Sequence, residues 1–145
     1  MKRFVVRSGA LLALMTLALP ACSSDGLLGP EATVFLTQKS PPGNTMDALY
    51  TGTVNRDAQG CLRTADDGAA VVVVIWPYGF NLKARSGGLY VEDAEGRTVG
   101  RIGGEFRFGG GQADAEYVDT YLSQSDRARA SVCHADKYWI ASGID

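Results

Sequence analysis

The residues of this chain that could do chemistry are few. They are one histidine (His134), three cysteines (Cys22, Cys61 and Cys133) and carboxylates grouped as Asp66-Asp67, Asp93/Glu95 and Asp114/Glu116. A Cys–His nucleophile pair needs facing side chains, whereas Cys133 and His134 are neighbours, and neighbours on an extended chain point to opposite sides. Ser131, His134 and Asp136 supply the groups of a hydrolytic triad, but within one short segment where triad geometry is hard to build. Zinc asks for three or four ligands at characteristic spacings, and only Cys61, Cys133 and His134 are on offer. His134 therefore reads as a surface or loop residue. A glycosidase pair must face one cleft from separate strands. The acids here fall mostly in turns and read as solvated, with weak calcium binding at a turn as the alternative.

Two glycine clusters invite a phosphate reading and fail it. Gly100-Arg-Ile-Gly103-Gly104 lacks the spacing of a dinucleotide fingerprint, and Gly109-Gly110-Gly111 is followed by Gln112 rather than Lys and Ser/Thr. Both motifs must open a helix after a buried parallel strand; turns and bulges of a curved sheet explain these runs better. The aromatics carry more. Trp76, Tyr78 and Phe80 alternate around Pro77, and Tyr138-Trp139 sit near the C-terminus. Rings projecting from a barrel face make a stacking platform for a sugar or peptide, while rings turned inward plug a small core. Trp76 and Phe80 read as core. Tyr78, Tyr138 and Trp139 are the candidate ligand-binding residues. No cofactor motif and no metal site is expected.

The N-terminus carries Lys2, Arg3 and Arg7, then an apolar run from about Gly9 to Leu19, then Leu19-Pro20-Ala21-Cys22. The run is shorter than the roughly 20 residues that cross a bilayer. A basic start, a short apolar centre and a small-residue exit describe a removable export signal. Leu19 stands where ordinary secretory cleavage prefers a small residue and where a lipobox prefers Leu. The segment resembles a bacterial lipoprotein signal peptide over residues 1–21. That resemblance implies that Cys22 becomes the first mature residue and carries a thioether-linked diacylglycerol; the alternative is a soluble secreted protein. Two or more acyl chains anchor stably where one binds marginally. Ser23 and Ser24, rather than Asp, follow the cysteine, which in a bacterium with an outer membrane implies onward sorting. The expected location is a cell or outer membrane, facing periplasm or exterior.

If Cys22 carries lipid, Cys61 and Cys133 are left, and outside the cytoplasm two such cysteines usually pair. Closing a loop of about 70 residues contributes about 4 kcal/mol in the chain-entropy model; two buried thiols are the alternative. Removing residues 1–21 leaves 11 basic against 16 acidic residues, a net of about −5. An acidic exported domain is a poor partner for nucleic acid, whose affinity rests on Lys and Arg against phosphates.

Residues 22–45 read as a lipidated N-terminus and flexible tether, because Gly26, Gly29-Pro30 and Pro41-Pro42-Gly43 break any period. Such a tether reaches on the order of 25 Å. Ala32-Thr-Val-Phe-Leu-Thr37 is β-prone and offers an edge strand as the competing reading. Residues 46–145 form one domain of strands and turns. Leu49–Val54 leads through Asp57-Ala-Gln-Gly60 to Cys61-Leu62-Arg63, and Asp66-Asp67-Gly68 turns into Ala70–Trp76. That last run has no polar break, so both its faces should be covered. Leu89–Glu92 and Thr98–Ile102 form a hairpin across Asp93-Ala-Glu-Gly96. Phe106 and Phe108 share a face, Tyr138–Ala141 closes the domain, and Asp114–Gln124 is the one helical stretch, with Asp114 as its N-cap. The fold class is all-β: a small OB-like barrel, or a partly open barrel or sandwich, with at most one short helix.

Gly52-Thr-Val54, Gly60-Cys61-Leu62-Arg63, Val74-Ile75-Trp76-Pro77-x-Gly79-Phe80, Gly96-Arg97-x-Val99-x-x-Ile102-Gly103-Gly104 and Cys133-(x)₄-Tyr138-Trp139 occur in one order. Together they resemble small domains of bacterial lipoproteins and other exported proteins marked by a GCLR…WPxGF pattern. The resemblance implies an exported β-domain and supplies no catalytic residue. The expected role is a non-enzymatic binding or envelope-interaction module, held by its lipid and recognising an envelope protein or glycan. The alternatives are an envelope hydrolase using carboxylates at the barrel mouth, and a purely structural component.

Overall fold

The computed structural model describes residues 33–43, 46–65 and 71–144. Among the described residues nine strands run in chain order: β1 (Leu36–Thr37), β2 (Ala48–Arg56), β3 (Leu62–Ala65), β4 (Val73–Trp76), β5 (Asn81–Arg85), β6 (Gly88–Glu92), β7 (Thr98–Arg101), β8 (Glu105–Asp114) and β9 (Lys137–Ile144). A short helix, α1 (Gln124–Ala130), lies between β8 and β9. Strands β4, β3, β2, β8 and β9 are neighbours in that order, and β4 pairs with β9 to close a five-stranded barrel. The closing pair is parallel, with Val74 opposite Trp139; every other seam of the barrel is antiparallel. The all-β, OB-like expectation describes this architecture.

The apolar run at β4 explains the layering. Along a strand, successive side chains face opposite ways. Val72, Val74 and Trp76 enter the barrel interior with Leu62, Phe106, Phe108 and Trp139. Val73 and Ile75 face outward into a second cluster with Cys61, Cys133, Tyr138 and Ile140, covered by Val118, Leu122 and Ala130. Both faces are therefore buried, which is why the run has no polar break. The run starts later than its sequence suggests, because Val71 is exposed.

Inside the barrel, Trp76 is the hub. It stacks on Phe35 at 5.3 Å and meets Phe106 and Phe108 edge-on at 5.3 and 5.4 Å, geometries that aromatic quadrupoles favour. Glycines make room for these rings. A Cβ on Gly100 would come within 2.2 Å of the Phe106 ring, and one on Gly52 within 2.5 Å of the Tyr50 hydroxyl. Sheet β5–β6–β7 caps the barrel, turning Leu82, Val91, Val99 and Ile102 onto this core.

Residues 33–38 correct the tether reading. Phe35 and Leu36 are buried, one in each cluster. Leu36 and Thr37 pair in parallel with Ile75 and Trp76, and Val34 bridges Cys61. The segment fills the seam where β3 and β4 splay, so burial of two large apolar groups outweighs the flanking Pro and Gly signals. The competing edge-strand reading is the one the structure adopts. The expected signal peptide (1–21), Cys22, the first part of the expected tether and the expected Asp66-Asp67-Gly68 turn lie outside the described residues.

The helix also differs. Ala115–Thr120 is a 3-10 turn, and Asp114 makes no side-chain cap. The α-helix begins after it, at Gln124, where the Ser123 hydroxyl accepts from the Asp126 N–H. In the 3-10 turn Val118 is buried while Tyr117 is exposed; the apolar face that suggests a helix is shared between this turn and the segment after it.

Strand β8 bends at Gly109-Gly110, where its register with β9 shifts. Gly110 has φ +147°, and a Cβ there would lie 2.1 Å from the Ile140 carbonyl oxygen. Gly110→Ala should cost about 1–3 kcal/mol in chemical denaturation, the usual range for overpacking. Gly143→Ala, which would meet nothing within 4 Å, should stay within about 0.5 kcal/mol.

Candidate functional site

Two four-residue turns of the same sequence type hold the sheet corners. In Asp57-Ala58-Gln59-Gly60, the Asp57 carboxylate accepts from the N–H groups of Gln59 and Cys61 at 2.9 and 2.8 Å. In Asp93-Ala94-Glu95-Gly96, Asp93 accepts from Glu95 and Arg97 at 3.0 and 2.8 Å. Each turn ends on a glycine in the left-handed region, φ +86° at Gly60 and +80° at Gly96. Each carboxylate is also paired with an arginine: Arg63 on Asp57 at 2.5 Å, Arg97 on Asp93 at 2.7 Å. Burial works against ionisation of Asp57, but the Arg63 guanidinium and the two N–H donors outweigh it and hold the carboxyl below its ordinary value. Asp93 is lowered by the same balance, with Arg97 as its main donor. These oxygens are engaged in building turns.

Arg63 does a second job. Its guanidinium also donates to the Cys133 carbonyl oxygen, beside the Cys61–Cys133 disulfide that spans 72 residues. The GCLR motif is thus read residue by residue. Gly60 makes the turn, Cys61 the cross-link, Leu62 fills the barrel and Arg63 ties Asp57 to the far end of the disulfide. The WPxGF motif is also architectural. Trp76 is the core hub and Pro77 ends β4. Gly79, with φ +84°, packs where a Cβ would meet Ala94, and Phe80 lies against the core.

Of the candidate ligand residues, Tyr78 is exposed on the turn after β4, while Tyr138 and Trp139 are buried. They form no platform. Adjacent on β9, Tyr138 and Trp139 point into opposite clusters, and both are covered because β9, like β4, has protein on each face. The phenol of Tyr138 is pushed above its ordinary value by that burial, with the Arg63 charge acting in the opposite sense. The indole nitrogens of Trp76 and Trp139 and the hydroxyl of Tyr50 are buried without hydrogen-bond partners. His134 is exposed at φ +44°, one residue after a cysteine committed to the disulfide. The Ser131 hydroxyl donates to the Ala128 carbonyl at 2.7 Å, away from any triad. Among the described residues, no group of His, Cys, Asp and Glu has metal-binding geometry.

What the sequence did not reveal is a cleft of about 320 Å³ where the chain leaves β1 and passes over β9. Its walls are Gln38, Ser40, Pro41–Pro42, Met46, Tyr121 and Ser142, with Ile140 and Ala141 at the base. The N–H of Gln38 donates to Trp76 O at 3.0 Å, its side chain donates to Ala141 O, and the Lys39 N–H donates to Tyr121 O at 2.8 Å. These bonds fix one wall. The glycine run of β8 shapes the other, since a Cβ on Gly111 would meet Met46 Sδ at 2.4 Å and one on Gly109 would meet Ser142 Oγ at 3.1 Å. No lining side chain carries a formal charge at neutral pH. A larger hollow on the outer face of β2, about 500 Å³ with Thr51, Thr53, Asn55 and Glu105, is less enclosed. The cleft is the better candidate, at the small end of ligand-pocket sizes.

Compared with protein-family models, curated proteins and solved structures, the chain matches none.

Because both turn aspartates are held below their ordinary pKa in the fold, their contribution is present above about pH 4, the unfolded carboxylate value, and is lost as pH falls through the depressed folded value. Asp57→Asn should lower stability at neutral pH. It should also flatten the acid limb of a stability-against-pH curve below about pH 4. An acid limb as steep as that of the wild type would show that Asp57 is not a source of it.

Proposed function

We propose that the chain is an exported, lipid-anchored binding module whose barrel offers the Gln38–Tyr121–Ser142 cleft to a small uncharged ligand, or to a neutral loop of an envelope partner. The observation that carries the reading is the cleft's composition. Met46, Tyr121 and two prolines supply apolar contact, and an amide and hydroxyls supply orientation, the mix that suits sugars and peptide backbone. The Cys61–Cys133 disulfide supports export, since such bonds persist in oxidising compartments. The lipobox resemblance at Leu19–Cys22 supports the anchor. With Thr33 already against the barrel, ten residues separate it from Cys22 and can span at most about 40 Å. A non-enzymatic role is further supported by the turn carboxylates Asp57 and Asp93, whose acceptors are spent on backbone N–H groups and arginines.

Intact mass of the mature protein tests export and anchoring. The expected product begins at Cys22, carries diacylglycerol, and takes up two alkyl groups only after reduction; an uncut, unacylated chain would end this reading. For the cleft, thermal-shift titration with neutral saccharides and capped peptides should raise the midpoint of the wild type but not of Ser142→Trp, which fills the space. Equal shifts in both would place binding elsewhere.

A further inference from the structure

The outward face of the β5–β6–β7 sheet is cationic on a protein whose mature net charge is about −5. Its inner face turns Leu82, Val91 and Val99 onto the barrel core. The register puts Lys83, Tyr90 and Arg101 side by side in one row across the three strands. Arg85, two residues along β5 on the same face, lies over the Tyr90 ring at 5.6 Å. Gly88 lets the Arg101 side chain lie close to the sheet, its Nε only 3.0 Å from where a Cβ would be. Glu92 is the acid on this face; it pairs with Arg85, which also donates to the Thr98 hydroxyl at 2.8 Å. Asp93 and Glu95 sit at the β6–β7 turn and are paired with Arg97. Lys83 and Arg101 remain exposed and enter no ion pair among the described residues, flanking a ring that is itself part-buried.

The position of the sheet gives this charge a partner. Asn81 and Leu82, at the start of β5, line the same groove as Thr33 and Phe35, so the N-terminal segment joins the barrel beside this face. From Asn81 to Lys83 is about 7 Å along the strand, at roughly 3.3 Å per residue. We propose that the Lys83–Tyr90–Arg101 row docks on anionic phospholipid headgroups, so that the barrel lies on its membrane with this sheet inward. The proposal rests on the lipid anchor for proximity, since the ten residues between Cys22 and Thr33 can span at most about 40 Å and keep the face near the surface. Arginine and lysine meet the phosphates, and the tyrosine ring sits at headgroup depth, where amphipathic aromatics partition well.

The test is acetylation footprinting of the full mature chain on vesicles, read by mass spectrometry at each lysine. On phosphatidylglycerol vesicles Lys83 should be protected relative to phosphatidylcholine vesicles, while Lys39 and Lys137 react equally on both. Arg101→Ala should weaken that protection about fivefold, the effect of one basic residue at an anionic surface, and raised salt should remove it. Equal Lys83 reactivity on the two vesicle types overturns the proposal. So does equal protection by soluble glycerol phosphate, which would mean a small-anion site, or by an anionic polysaccharide alone. Failure of the chain to stay on phosphatidylcholine vesicles would instead refute the anchor, with the charge-dependent protection of Lys83 still read independently on phosphatidylglycerol.

Discussion

Double-sided burial of β4 is the constraint on which the structure depends. A strand covered on both faces must find two separate sets of apolar neighbours and a hydrogen-bonded strand on each edge. The barrel interior supplies one set, around Trp76, and the layer beneath α1 supplies the other, around Ile75. Strand β9 provides one edge. On the other edge β3 pairs only at Arg63–Val73 before the strands part, and β1 completes the ladder at Ile75 and Trp76. The N-terminal segment is therefore a structural part of the barrel wall. Leaving the β4 edge unpaired would expose buried backbone groups, each of which costs the equivalent of a lost hydrogen bond.

The same constraint explains where the disulfide lies. Cys61 and Cys133 sit in the outer cluster with Leu36 and Ile75, and their bond fastens the β2–β3 corner to the segment that leads into β9. Arg63 reinforces that junction by contacting both Asp57 and the Cys133 carbonyl. The cross-link and the ion pair act on one corner, and the short N-terminal strand is held beneath it through the Val34–Cys61 bridge.

Much of this was legible in the residues. Alternation at Phe106 and Phe108, the unbroken run to Trp76, and the Asp93–Gly96 turn each carry a local signal strong enough to place a strand or hairpin. The twin turns share Asp-Ala-x-Gly, a repeat visible in the sequence although its shared hydrogen-bond pattern was not. Strand β1 was obscured because Pro30 and Pro41-Pro42 flank it, and its pairing with β4 depends on a seam that no local window contains. The α-helix begins ten residues after its expected start at Asp114, because Tyr117, Val118, Tyr121 and Leu122 carry helical spacing, while the segment that does coil buries only Ala130. Ser123-x-x-Asp126 was the available start signal. The cleft was illegible for a different reason: Gln38, Tyr121 and Ser142 are far apart in the chain, and the glycines that shape it, Gly109 and Gly111, read as turn residues when nothing shows what lies above them. Tyr138 and Trp139 are buried because protein covers β9 on both faces, which the residue types alone do not show.

Native-state hydrogen exchange tests the central claim most directly. The amides of Val34, Gln38 and Lys39 donate to Gly60, Trp76 and Tyr121, so they should open only with the barrel, at the same free energy as the amides of β4. Exchange of those three at unprotected rates while β4 stays closed would show that the N-terminal segment is not part of the wall.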